Sequence, residues 1–76
     1  MRGQTANRVI ECVADTIGLE HVEPSMHLSG QLCVDSLDRC NIVLKLEETF
    51  IVKISDRDAE NWQTVSDIIS TIERQV

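Results

Sequence analysis

The segment Val34-Asp35-Ser36-Leu37-Asp38 holds the group whose type and setting most suggest chemistry: a serine where a punctuated loop meets an apolar-rich stretch. A serine at a helix start shows its hydroxyl to solvent, with unpaired backbone N–H groups nearby and the positive end of the helix dipole beneath it. A phosphate ester mounted there is electrostatically favoured. Asp35 and Asp38 oppose an anion, but they give a modifying or partner enzyme something to grip. The plainer reading of the same position is a helix N-cap, the commonest reason for serine at a helix start. Position alone leaves both readings open.

The other reactive side chains form no catalytic pattern. Neither a Ser/His/Asp nor a Cys/His arrangement is visible, and His21 and His27 fall in a polar loop, where solvated or capping roles are expected. Cys12, Cys33 and Cys40 are odd in number and lack CxxC or CxxH spacing, so neither a disulfide framework nor a metal site is indicated. They read as reduced thiols with the usual fate of free cysteine, a small buried hydrophobe. Cys40, beside Arg39, comes nearest to the electropositive setting that activates a thiol.

The elements that must position Ser36 follow from apolar spacing. Ala6, Val9, Ile10, Val13 and Ile17 make the stripe of an amphipathic helix with one buried face, and Gly18 supplies a left-handed stop. From Leu19 to Asp35 the periodicity fails: Pro24, Ser25, Ser29 and Gly30 are punctuation, and Val22, Met26, Leu28, Leu32 and Val34 are scattered anchors. Loops beyond about 12 to 15 residues are uncommon unless functional or disordered, and these anchors favour a packed, functional loop.

A second helix is expected from about Ser36 to Ile51. Its apolar residues need two arcs: Ile42, Val43, Leu46 and Phe50 on one, Leu37, Cys40, Leu44 and Ile51 on the next. In so small a domain the second arc is expected to face a partner or ligand. Ser55 with Asp58 reads as an N-cap with an acidic third residue, and Ile54 staples the turn of a short helix to about Glu60. Thr64 with Asp67 repeats the device ahead of a last helix striped by Val65, Ile68, Ile69, Ile72 and Val76. The expected fold is all-α: a small four-helix bundle of three longer helices and one short one, with a long loop between the first two and no strand.

With 76 residues, 42% of them apolar, the chain suits one globular domain spanning 1–76. A domain this size buries only about 60% of its unfolded surface, which leaves no room for a cleft walled on several sides. A non-enzyme is therefore expected. No run approaches a membrane span, and the N-terminus has no apolar leader core, so a cytoplasmic location is expected.

The net charge of −6 is unevenly placed. Between Arg8 and Arg39 no Lys or Arg occurs, while Glu11, Asp15, Glu20, Glu23, Asp35 and Asp38 do; elsewhere acids and bases cancel. Nucleic acid and anionic membrane are poor partners for such a surface, and a basic protein surface is a better one.

Asp35-Ser36-Leu37, followed by a helix ending Leu46-Glu47-Glu48-Thr49-Phe50, resembles the acyl carrier protein family. The likeness extends over almost the whole chain: the helix order, the long loop, Ile54 before a short helix, Ala59 within it and Thr64-Val65 opening the last helix. The resemblance implies a phosphopantetheinyl transferase that joins 4′-phosphopantetheine to Ser36, flanked by Asp35 and Leu37. It implies acyl groups held on that arm as thioesters, for fatty-acid, polyketide or related specialised lipid metabolism. Acyl-loading, condensing and acyl-transfer enzymes are then the partners of a monomeric carrier, docking on Asp35, Leu37, Asp38, Cys40, Leu44, Glu47 and Glu48. The family's acyl space implies a lining of Leu28, Leu46, Ile54, Ala59, Trp62 and Ile68. The bulk of Trp62 and Ile68 suggests a shallow pocket for short acyl groups.

The sequence departs from the family pattern in two places. Cys33 and Val34 stand where family members often have Gly and a small residue, and Gly permits backbone conformations that these resist. Arg39, Asn41 and Lys45 dilute a docking helix that is usually strongly acidic, which suggests a specialised member with dedicated partners. Two other functions fit less well: an aminoacyl or peptidyl carrier, whose motif more often has Gly where Asp35 stands, and a helical interaction module in which Ser36 only caps.

Overall fold

The computed structural model describes residues 2–75 in backbone and 4–75 in side chains, so Val76 of the expected last stripe lies outside the described residues. The first stripe forms α1 (Arg2–Ile17), which buries Val9, Cys12 and Val13 and half-buries Ala6, Ile10 and Ile17. Gly18 ends it at φ 76°, sending its N–H back to the Ala14 carbonyl at 2.8 Å. A side chain there would meet nothing within 4 Å, so it is the left-handed backbone and not crowding that favours glycine.

The loop that follows is packed, as its anchors suggested. Val22, Leu28 and Val34 are buried, and Met26 and Leu32 are half-buried. Its backbone is sewn to the start of the last helix: Leu28 N–H donates to Gln63 at 2.9 Å, Val65 N–H to Met26 at 3.1 Å and Ser66 N–H to Pro24 at 2.9 Å. One isolated antiparallel bridge, His27 with Thr64, is the sum of β pairing among the described residues.

The remaining elements are α2 (Ser36–Phe50), α3 (Asp56–Asn61) and α4 (Val65–Gln75), with α1 packed against both α2 and α4. The expected bounds hold to within a residue or so. α4 buries Val65, Ile68, Ile69, Thr71 and Ile72; with Ile42 and Leu46 of α2, Leu28 of the loop and Val9 and Val13 of α1, these form one core. Trp62 lies in that core, and its indole N–H donates to the Thr71 hydroxyl at 2.9 Å. The Thr71 hydroxyl in turn donates to the Asp67 carbonyl at 3.1 Å, so a buried polar pair is fully satisfied.

Both expected capping devices form. Asp58 N–H donates to Ser55 Oγ at 3.1 Å. At α4 the Asp67 carboxylate accepts from Gln63 N–H at 2.8 Å and Thr64 N–H at 3.0 Å, while Asp67 N–H reaches Thr64 Oγ1 at 3.4 Å. Those two backbone donors, Gln63 first and Thr64 next, hold the Asp67 carboxyl below its ordinary value of 3.8.

Candidate attachment site and its groove

Asp35, not Ser36, is the N-cap of α2. Its backbone is extended at φ −97°, its Oδ1 accepts from Asp38 N–H at 2.8 Å and its carbonyl accepts from Arg39 N–H at 2.9 Å. The N-cap reading of Ser36 is thereby corrected: an aspartate one residue earlier already does that work. Ser36 becomes the first residue of the helix, exposed, its hydroxyl without a hydrogen-bond partner among the described residues.

The approach to Ser36 is unusual. Cys33 takes φ 55°, the left-handed region that glycine occupies without cost, so the chain accepts some strain just before the loop turns into α2. Among the described residues the other non-glycine with positive φ is Ile51, at φ 54°, which terminates α2 and returns its N–H to Glu47. A side chain in a disfavoured conformation thus ends α2, and another stands two residues ahead of its N-cap.

The two arcs of α2 separate as expected. Ile42 and Leu46 are buried, whereas Leu37 and Leu44 are 69% and 58% exposed, and Cys40, Glu48 and Ile51 are exposed beside them. Leu37, Leu44 and Ile51, two turns apart each time, draw an apolar line along the outer side of the helix. Cys40 and Cys33 are exposed thiols and only Cys12 is buried, which corrects the reading of all three as buried hydrophobes. His21 lies 3.6 Å from Glu23 in an exposed pair, and His27 is exposed, both away from any catalytic pairing. Among the described residues no cluster of His, Cys, Asp and Glu is placed to hold a metal ion.

Two charged residues of α2 are not free on its surface. The Glu47 carboxylate accepts the Ile54 N–H at 2.8 Å and so ties down the chain between α2 and α3. Arg39 turns toward α3 and donates to the Ala59 and Trp62 carbonyls. This changes the sequence expectation: Arg39 does not dilute the docking face as a free cation, and it does not lend Cys40 an unshared positive neighbour. Lys45 and Asn41 remain exposed on α2.

A groove of about 880 Å³ opens beside Ser36, between α2 and α3. Arg39, Cys40, Val43 and Leu44 line one wall, with Ile54, Ala59 and Glu60 on the other. Of the six positions read as acyl lining, Ile54 and Ala59 reach this groove; Leu28, Leu46, Trp62 and Ile68 are packed in the closed core. Val43 and Arg39 were not singled out for the groove. Val43 lies at the border of the two arcs, and Arg39 lies three residues from Ser36 on the same helical side, a spacing visible in the sequence.

Comparison with known proteins agrees with this geometry. The family described as "Phosphopantetheine attachment site" matches residues 7–72. An acyl carrier protein of Solidesulfovibrio magneticus is 39% identical over 72 residues, covering 92% of each chain. The fold is shared with a solved structure described as "a putative acyl carrier protein" from Mycobacterium tuberculosis, at 24% identity and a TM-score of 0.87, covering 92% of this chain and 96% of that one. With a phosphopantetheine-site match over most of its length and a relative of this closeness, the chain belongs to the acyl carrier protein family, whose members carry a covalent 4′-phosphopantetheine and are not themselves catalysts.

Proposed function

We propose that Ser36 accepts the phosphopantetheine and that the chain carries acyl intermediates on it for fatty-acid, polyketide or related specialised acyl metabolism. The observation that carries this reading is the Ser36 hydroxyl: exposed, without a partner, and on the first residue of α2 because Asp35 has taken the cap. Such a hydroxyl is free to be esterified without loss of any structural bond. The phosphate it would bear lies at the positive end of a four-turn helix. The residues therefore fit the group.

When bound, the arm supplies a terminal thiol that holds an acyl group as a thioester. The chain's own part is presentation. Asp35 holds the helix start in place, and the line of Leu37 and Leu44, with Cys40 between them, offers an apolar strip to a transferase or acyl-handling enzyme. Asp35 and Glu48 flank that strip with exposed negative charge and Asp38 with a half-buried one, which favours partners with basic docking faces. Asp35 before the serine supports the acyl over the aminoacyl type of carrier, as does the acyl carrier protein from Solidesulfovibrio magneticus.

Intact mass after incubation with coenzyme A and a phosphopantetheinyl transferase tests the reading. The wild-type chain is expected to gain one phosphopantetheinyl unit and Ser36→Ala none. No gain in the wild type, or a gain that survives Ser36→Ala, overturns it.

A further inference from the structure

Arg39 sits one turn beyond Ser36 and forms part of the groove wall on α2. One of its guanidinium nitrogens donates to the Ala59 carbonyl and, at 3.0 Å, to the carbonyl of Trp62. Ala59 lies in the last turns of α3 and Trp62 is its C-cap, so a cation meets the negative end of that helix. Ala59 also lines the opposite wall of the groove, and the Arg39 side chain thus spans from one wall to the other. Trp62, whose carbonyl takes the second of these bonds, is itself buried, with its indole N–H held by Thr71. Anything that lies in the groove beside Ser36 can go deeper only if α3 parts from α2, and that requires both Arg39 bonds to break.

We propose that Arg39 is a latch that sets how much of a carried acyl chain the groove shelters, keeping it shallow and favouring short acyl groups. This rests on the reading of Ser36 as the attachment point. Arg39 here determines specificity through α3 and touches no reacting atom. An arginine suits the task because its guanidinium stays charged and a single one of its nitrogens carries two N–H donors, one for each carbonyl; a lysine keeps the charge on a shorter, more strongly hydrated head.

The latch is testable before any arm is attached. In the unmodified protein, Arg39→Gln is expected to raise amide exchange in α3 at least roughly ten-fold, the factor that corresponds to a net loss of about one hydrogen bond. Acrylamide quenching of Trp62, the only tryptophan, should rise with it, and Arg39→Lys should fall between. In arm-bearing protein loaded with butanoyl or decanoyl groups, alkaline thioester hydrolysis reads the shelter. The wild type is expected to protect decanoyl no better than butanoyl, and Arg39→Gln to protect decanoyl several-fold better.

Unchanged exchange and quenching in Arg39→Gln overturn the latch. Decanoyl already better protected in the wild type, or no chain-length difference in the variant, overturns its role in specificity. A general loss of stability would speed exchange but would not favour one acyl length. A chain that cannot be loaded at all fails the Ser36 reading in the mass measurement above, which the exchange and quenching results do not depend on.

Discussion

α4 and α2 are both striped with apolar residues, but they use them oppositely. α4 turns Val65, Ile68, Ile69 and Ile72 inward and leaves Ser66 and Ser70 outside. α2 spends Ile42 and Leu46 on the core and keeps Leu37 and Leu44 in solvent. Exposed leucines in line on a small domain add little to folding, and the proposed docking role accounts for their place. Under the proposed function, α4 serves the core alone while α2 divides its apolar residues between the core and presentation, with Ser36 at its head.

Substitution of comparable residues on the two helices should break the comparison if it is wrong. Ile68→Ala removes a fully buried side chain and is expected to cost about 2–5 kcal/mol in denaturant unfolding. Leu44→Ala, by contrast, should change stability by less than about 0.5 kcal/mol while raising the transferase KM for the unmodified chain. Equal stability losses at the two positions would show that the outer face of α2 is structural after all.

The ends of α2 give a smaller effect of opposite sign. Cys33 and Ile51 hold φ 55° and 54° with exposed side chains. Cys33→Gly and Ile51→Gly are each expected to stabilise the fold by about 0.5–1 kcal/mol, relief of left-handed strain outweighing the extra freedom of glycine in the unfolded chain. Thermal unfolding checks this, and a loss of stability at either position would mean that its side chain makes up for the strain.

The smallest effect belongs to α4. The Asp67 carboxyl is held below 3.8 by the Gln63 and Thr64 N–H groups, so its folded form prefers the charged state. That contribution is complete above the ordinary carboxyl value and is lost as pH falls from there through the lowered folded one. The stability difference between wild type and Asp67→Asn should accordingly be present at neutral pH and shrink on acidification. A difference independent of pH would assign the cap to packing and not to the carboxylate.

Much of this was legible from the residues themselves. Four helices, the glycine stop at Gly18, the caps at Ser55 and Thr64 and the two arcs of α2 follow from spacing, because side-chain periodicity and local hydrogen bonding are properties of short segments. The place of Ser36 at the start of α2 was visible in the same local way, although its reading as a possible cap was not right: Asp35 and Ser36 are both good caps, and only the backbone shows which residue comes first.

What tertiary structure decided lies across elements distant in the chain. The Arg39 side chain could reach solvent, Cys40 or α3 with equal ease from its place in the sequence, and it bonds to Ala59 and Trp62, 20 and 23 residues on. Glu47 likewise counts as surface charge in the sequence and is a tether to Ile54 in the fold. Periodicity marked Leu46 and Ile68 as inward-facing and the resemblance added Leu28 and Trp62, but whether an inward residue lines a groove or closes a core depends on how the helices pack. Local spacing in the sequence marked the buried stripes and most of the helix ends, because both depend on near neighbours; packing alone decided which residues of different elements meet.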